Sequence, residues 1–221
     1  MPDRTLHWVA SSRNDVRAFP RDARRLAGVQ LRRVLQGLEP FDWKPVPAIG
    51  PGVREIRVHT ALEHRVLYVA KFAEAVYVLH AFDKWTRKTL QRDGSLARHR
   101  FHELLALRRA GRHREGRAIM SLKITPSSGN VFRDLGFRRE EAEHLLVRAD
   151  LLIQVQKLIA SRRLKQRQAA ALLHISQPRV SDLVRMRIDL CSTDMLIDML
   201  ARPVARVRLA VKPDRQNRKV A

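Results

Sequence analysis

The chain has 221 residues, 45% hydrophobic and 30% charged, with 44 Lys and Arg against 22 Asp and Glu for a formal net charge of +22. Residues 1–119 hold 24 of the basic and 12 of the acidic residues, leaving 20 and 10 beyond, so no single basic tail explains the excess and a polyanion is the default partner. The lone Cys191 excludes a disulfide framework or a Cys-rich metal site, no apolar run approaches the roughly 20 residues of a membrane span, and Met1-Pro2-Asp3-Arg4 leads into no signal core, so a soluble chain in a reducing cytoplasm is expected.

Residues 5–113 read as mixed α and β. After a short apolar segment, Leu6–Ala10, the stretch from Ser11 to Gly37 spaces Val16, Phe19, Leu26, Val29, Leu31, Val34 and Leu35 mostly as helices do, with a break at Pro20, which predicts two helices. From Val53 the period falls toward two. Val53, Ile56 and Val58, then Val66-Leu67-Tyr68-Val69, then Val76-Tyr77-Val78-Leu79 predict three strands in an antiparallel meander. Leu96, Phe101, Leu104, Leu105 and Leu107 return to helical spacing between Arg92 and Arg109, a helix to cover one face of the sheet.

Arg108 to Arg117 has two glycines, many charges and no apolar periodicity, as a solvated linker does. The expected division is therefore a first domain over 1–113, a linker over 114–119, a second domain over 120–211 and a basic tail over 212–221, each domain with its own core. Met120 opens a turn-rich stretch, either as an internal start site or as an ordinary methionine. From Arg138 the pattern is helical. Ala142, Leu145, Leu146, Ala149, Leu152, Ile153, Val155, Leu158 and Ile159 make one long core-facing stripe, followed by helices at about 166–173, 177–185 and 193–201 and a short β segment at 205–211.

The run Gln166 to Leu183 carries the sharpest signal. Ala170 is small where two helices would cross, Ile175 fills the gap between them, and Val180 with Leu183 anchors the second helix. Ser176 is a natural N-cap, and Pro178 sits in the first turn, where a missing N–H costs nothing. Gln177, Arg179, Ser181, Asp182 and Arg185, with Gln166 on the preceding helix, are then free to meet DNA, Gln suiting adenine and Arg suiting guanine in the major groove. One helix reads only a few base pairs, so a homodimer on a palindromic operator in double-stranded DNA is expected. The alternative is an ordinary helical hairpin on a basic protein. The stretch resembles the Cro/C1-type (XRE) helix-turn-helix family, and the wider segment from Asn130 to Leu200 looks like its HigA-type antitoxin branch. That family usually has glycine where Arg163, His174 and Met186 stand, and the resemblance puts His174 in a left-handed turn position at a cost of about 1 kcal/mol.

The first half shows no metal spacing, no glycine-rich phosphate loop and no Ser/His/Asp signature, so neither cofactor nor metal is expected. Its signal is basic residues on strands: Arg54, Arg57 and Arg65, then Lys84, Arg87 and Lys88, either a cationic concave face or a solvated one. Cations on a rigid sheet suit the stabilisation of a crowded phosphorane, and His59, His64 and His80 are candidates for proton transfer or for plain structure. The segments Gly52–Arg57, Arg65–Tyr68, Leu79–Lys84 and Thr86–Thr89 resemble the HigB-like, phage-derived branch of the RelE/ParE toxin superfamily, over residues 5–110. The resemblance implies a ribosome-dependent endoribonuclease acting on mRNA, with Arg54, Arg57, Arg65, Lys84 and Lys88 facing RNA and Tyr68 and Phe82 as stacking or core aromatics. Trp85 stands where that family usually has Lys, and Leu90 where it usually has Pro.

The expected whole is an α+β domain with a RelE-like antiparallel sheet and helices, followed by an all-α helix-turn-helix domain with a short closing β segment. Its expected function is a DNA-binding autoregulator of toxin-antitoxin type with the nuclease half silenced by its tethered neighbour. Two alternatives stay open: an active ribonuclease released by cleavage at 110–119, and a transcription factor whose first domain is degenerate.

Overall fold

The computed structural model describes residues 3–84, 91–110 and 122–202. Trp85, Arg87, Lys88 and Leu90, the linker with Met120, the strand expected at 205–211 and the basic tail lie outside the described residues. The chain runs β1 (Thr5–Val9), α1 (Ser12–Arg17), α2 (Arg21–Leu35), β2 (Trp43–Pro45), β3 (Val53–His59), β4 (Glu63–Val69), β5 (Ala75–Asp83) and α3 (Gln91–Ala110). It continues through β6 (Ile124–Pro126), α4 (Val131–Asp134), α5 (Arg139–Ser161), α6 (Gln166–Leu173), α7 (Gln177–Val184) and α8 (Thr193–Ala201).

The three strands of the expected meander are β3, β4 and β5, paired antiparallel in that order. The sheet around them is larger and mixed. Its order is β2-β3-β4-β5-β1-β6, and β1 lies parallel to β5, with Thr5 opposite Ala75 and Trp8 opposite Val78. The expectation of an antiparallel sheet is corrected there: direction is not encoded in alternation, and a parallel neighbour needs only a long enough connection, here two helices and three strands. Side chains alternate between the two faces. Leu6, Trp8, Ile56, Val58, Val66, Tyr68, Val76 and Val78 pack under α2, while Val53, Leu67, Val69, Tyr77 and Leu79 pack under Ala97, Phe101 and Leu104 of α3.

The two halves do not keep separate cores. β6 adds as the sixth strand of the sheet, His7 opposite Pro126 and Val9 opposite Ile124. The apolar cluster under α2 runs on without interruption through Val131, Phe132, Leu135, Leu145, Leu152 and Leu183 of the second half. α2 and α4 approach so closely that a Cβ on Gly28 would lie 2.6 Å from a ring carbon of Phe132. Polar contacts follow the same seam. The Trp8 indole donates to the buried Asp134 carboxylate at 3.0 Å, Arg17 and Arg24 donate to the carbonyls of Asp134 and Leu135, and Arg32 forks onto Asp150. Gln36 adds a bond to Asp150 and accepts one from Lys157. Among the described residues, no helix is long and apolar enough to cross a membrane.

Candidate nucleic-acid interfaces

The helix pair α6–α7 forms where the sequence places it. Lys165 opens α6, its backbone N–H donating to the Gln168 side chain at 2.9 Å. His174 closes α6 in the left-handed region at φ 53°, with the Ile175 N–H returning to the Ala170 carbonyl. Ser176 occupies the N-cap of α7 with extended backbone, though its hydroxyl makes no cap bond, and Pro178 sits in the first turn. Val180 and Leu183 are fully buried and fix α7 against the bundle. The fully buried small residue of α6 is Ala169, one position before Ala170, which is half-buried.

This packing turns the remaining face of α7 outward. Gln177 and Arg185 are exposed, and Arg179, Ser181 and Asp182 are half-exposed. Gln166, at the start of α6, is exposed. No side-chain hydrogen bond or ion pair among the described residues holds Gln177, Arg179, Asp182 or Arg185. A helix with polar, unpaired side chains on its first turns and an apolar back is a shape that fits a major groove.

The basic residues of the sheet do not all share one face. Arg54 and Arg57 are three positions apart on one strand, an odd spacing that sends them to opposite faces. Arg54 lies on the α2 face, bonded to Glu39 at 2.6 and 2.8 Å and stacked over Trp43 with its guanidinium carbon 4.4 Å from the ring centre. Arg57 lies 3.6 Å from both Asp42 and Glu55. Arg65 is 5% exposed and held by Glu63 at 2.8 Å and Glu55 at 3.3 Å, a buried pairing that leaves it no free edge for RNA. Lys84 is half-buried just past β5, and its backbone N–H donates to the Glu63 carbonyl. Tyr68 and Phe82 are both core residues, and burial, only partly opposed by Arg54, leaves the Tyr68 phenol pushed up to about 12.

Each of the three histidines is engaged by carboxylates. His59 lies 2.7 Å from both Glu63 and Asp42, and the fully buried His64 lies 2.7 Å from Asp83. His80 stands between Asp15 at 2.8 Å and Asp93 at 3.0 Å, with Arg100 bridging Asp15 and the Leu79 carbonyl. Burial raises the Asp15 carboxyl, but bonds from His80, Arg100 and Ser11 outweigh it and hold the group below its ordinary value. Sequence reading passed over Asp15, Asp93, Arg100 and Glu55. Glu55 had a usable signal: it shares the parity of Arg57 inside Val-Arg-Glu-Ile-Arg-Val, so it had to lie on the same face.

The ends of the two candidate surfaces meet in a cleft of about 320 Å3 where Arg57, His59 and Asp42 face Arg185 and Arg187. Among curated proteins, none matches the chain. Residues 14–102 match the family described as phage derived protein Gp49-like. Residues 131–212 match a family described as a helix-turn-helix domain, so the chain couples a Gp49-like segment to a helix-turn-helix segment that contains α6 and α7.

Proposed function

We propose that this protein is a sequence-specific DNA-binding regulator of toxin-antitoxin type, in which an mRNA-interferase-like first half is held inactive by the helix-turn-helix half on the same chain. The observation that carries the DNA reading is the outward face of α7, where Gln177, Arg179 and Asp182 make no side-chain hydrogen bond or ion pair among the described residues while Val180 and Leu183 are locked in the core. The reading of an HigA-type helix-turn-helix joined to a HigB-like domain rests on the sequence resemblances and agrees with the two family matches.

The inactive state is supported by charge. Arg54, Arg57 and Arg65 are each matched to carboxylates of their own domain, so they offer no unneutralised array to a phosphorane. The second half adds a strand and a helical layer to the first and fixes Arg17 of α1 and Arg24 and Arg32 of α2 against Asp134, Leu135 and Asp150. A homodimer supplies the second recognition helix for a palindromic operator. Selection from a pool of random-sequence duplexes with the full chain tests the reading. A two-fold symmetric consensus is expected, and recovery of unrelated sequences after repeated rounds would refute it.

A further inference from the structure

A cavity of about 270 Å3 opens between the two halves, where α2 and the loop after it meet the last turns of α5 and the end of α7. Phe41, Ile159, Leu164 and Val184 give it apolar walls, and Arg33 and Gln156 stand together in its lining. No acidic residue lines it. Its volume falls just under the usual range of ligand pockets, so it suits a small molecule.

Arg33 is half-buried in this lining with no counter-ion. Its Nε donates to the Glu39 carbonyl at 2.9 Å and its Nη1 to the Gln156 amide oxygen, both neutral acceptors, and among the described residues no carboxylate pairs with it. Burial lowers its pKa unopposed, whereas in the adjacent Arg32 burial is outweighed by Asp150 and Asp3 and the pKa rises. A guanidinium drawn out of water and left uncompensated favours an anion, and the apolar walls beside it favour a hydrocarbon chain. A cation would be repelled, a small inorganic anion would leave the walls wet, and a neutral apolar molecule would leave Arg33 unmatched.

Gln156 ties the site to α7. Its amide nitrogen donates to the Leu183 carbonyl at 2.6 Å and, more weakly, to the Val184 carbonyl at 3.4 Å, both at the C-terminal end of that helix. By holding the amide oxygen, Arg33 keeps the nitrogen turned toward the helix. We propose that this cavity binds a small monocarboxylate with an apolar tail, the carboxylate taking the Nη1–Nη2 edge of Arg33 in place of the Gln156 oxygen and the chain lying against Phe41, Ile159, Leu164 and Val184. With its oxygen released, the Gln156 amide is free to turn, so the ligand loosens the end of α7 and weakens the hold of that helix on DNA. This consequence rests on the reading of α7 as the recognition helix; the binding site itself does not.

Calorimetric titration of the full chain with octanoate, octanamide and acetate tests the site. Octanoate is expected to bind at least about 10-fold more tightly than octanamide, which lacks the charge, and than acetate, which lacks the chain. In Arg33→Gln the preference over octanamide is expected to vanish. Circular dichroism checks that this variant is folded; should it not be, Ala160→Trp, at an exposed lining position, fills the cavity with Arg33 in place and is expected to abolish octanoate binding. No octanoate binding, equal binding of octanoate and octanamide, or octanoate binding unchanged by both substitutions would overturn the proposal. Affinity for the selected operator is then measured with and without saturating octanoate, and a loss of at least about 5-fold is expected in the parent chain. Unchanged operator affinity in a chain that binds octanoate would overturn the link to α7. A chain that binds octanoate yet selects no operator supports the cavity and defeats the DNA reading.

Discussion

Three residues of the helical half sit in the left-handed region without being glycine: Arg163 at φ 52°, His174 at φ 53° and Met186 at φ 63°. Each follows a helix whose last carbonyls are closed by the next residue, Leu164 to Ile159, Ile175 to Ala170 and Arg187 to Asp182. A β-carbon there costs about 1–2 kcal/mol, while glycine gives part of that back in unfolded-state entropy. Arg163→Gly and His174→Gly, both on exposed side chains, should therefore raise stability by roughly 0.5–1 kcal/mol each. Met186→Gly should lower it by about 2–5 kcal/mol, because Met186 is fully buried and its loss leaves a cavity. Chemical denaturation of the three variants checks the opposite signs. His59 makes a second residue-scale prediction. Burial lowers its pKa, but Glu63 and Asp42 outweigh burial and hold it above 6.5; Glu63 is held below its ordinary value, burial opposing and His59 and Arg65 prevailing. The stability His59 contributes is full below pH 6.5 and is lost as pH rises through the raised value, while that of Glu63 is present above pH 4.5 and lost as pH falls through the lowered one. Thermal melting of His59→Gln against the parent should show a gap that narrows from about pH 6 to 8; a gap that widens with pH contradicts the assignment.

At the scale of elements, α6, α7 and α8 were legible because each carries its own punctuation. Lys165, Ser176 and Ser192 stand at N-caps, and the apolar residues between them keep helical spacing. The meander was legible from alternation alone. β6 was not, since three residues are too few to show a period and its reason for being a strand is the edge of β1 beside it. Burial on the cationic sheet was missed for another reason: alternation says which residues share a face, but not that Glu55 and Glu63 lie near enough to engage Arg65. The close approach of α2 to α4 makes a sharp test. Gly28→Ala places a methyl inside the van der Waals radius of Phe132, whose ring is fully buried and cannot swing aside, so it should destabilise the chain by about 1–3 kcal/mol despite the better helix propensity of alanine. Calorimetric melting reads this directly, and a gain in stability would mean that α2 and α4 are not in contact in solution.

Across the whole molecule, the charge excess is shared by both halves, while the change of period near residue 120 divides the chain into two sequence types, and the two family matches fall on either side of that change. What composition did not disclose is that the halves bury apolar surface against each other, because the residues responsible, Ala27, Gly28, Val131 and Phe132, read as ordinary core positions of their own helices. Trypsin should cut first at the arginines of 110–119, as the polar composition there predicts. The two fragments should then copurify and part only in denaturant, since β6, Trp8 with Asp134 and Arg32 with Asp150 join them without the linker. Fragments that separate in native buffer would contradict the shared core. The central claim, that α7 reads DNA sequence, is tested most directly by measuring the affinity of the full chain and of Arg179→Ala for the selected operator and for an unrelated duplex. A loss of about 1–3 kcal/mol on the operator with nearly unchanged binding to the unrelated duplex is expected, whereas equal loss on both would reduce Arg179 to a phosphate contact and contradict sequence reading by α7.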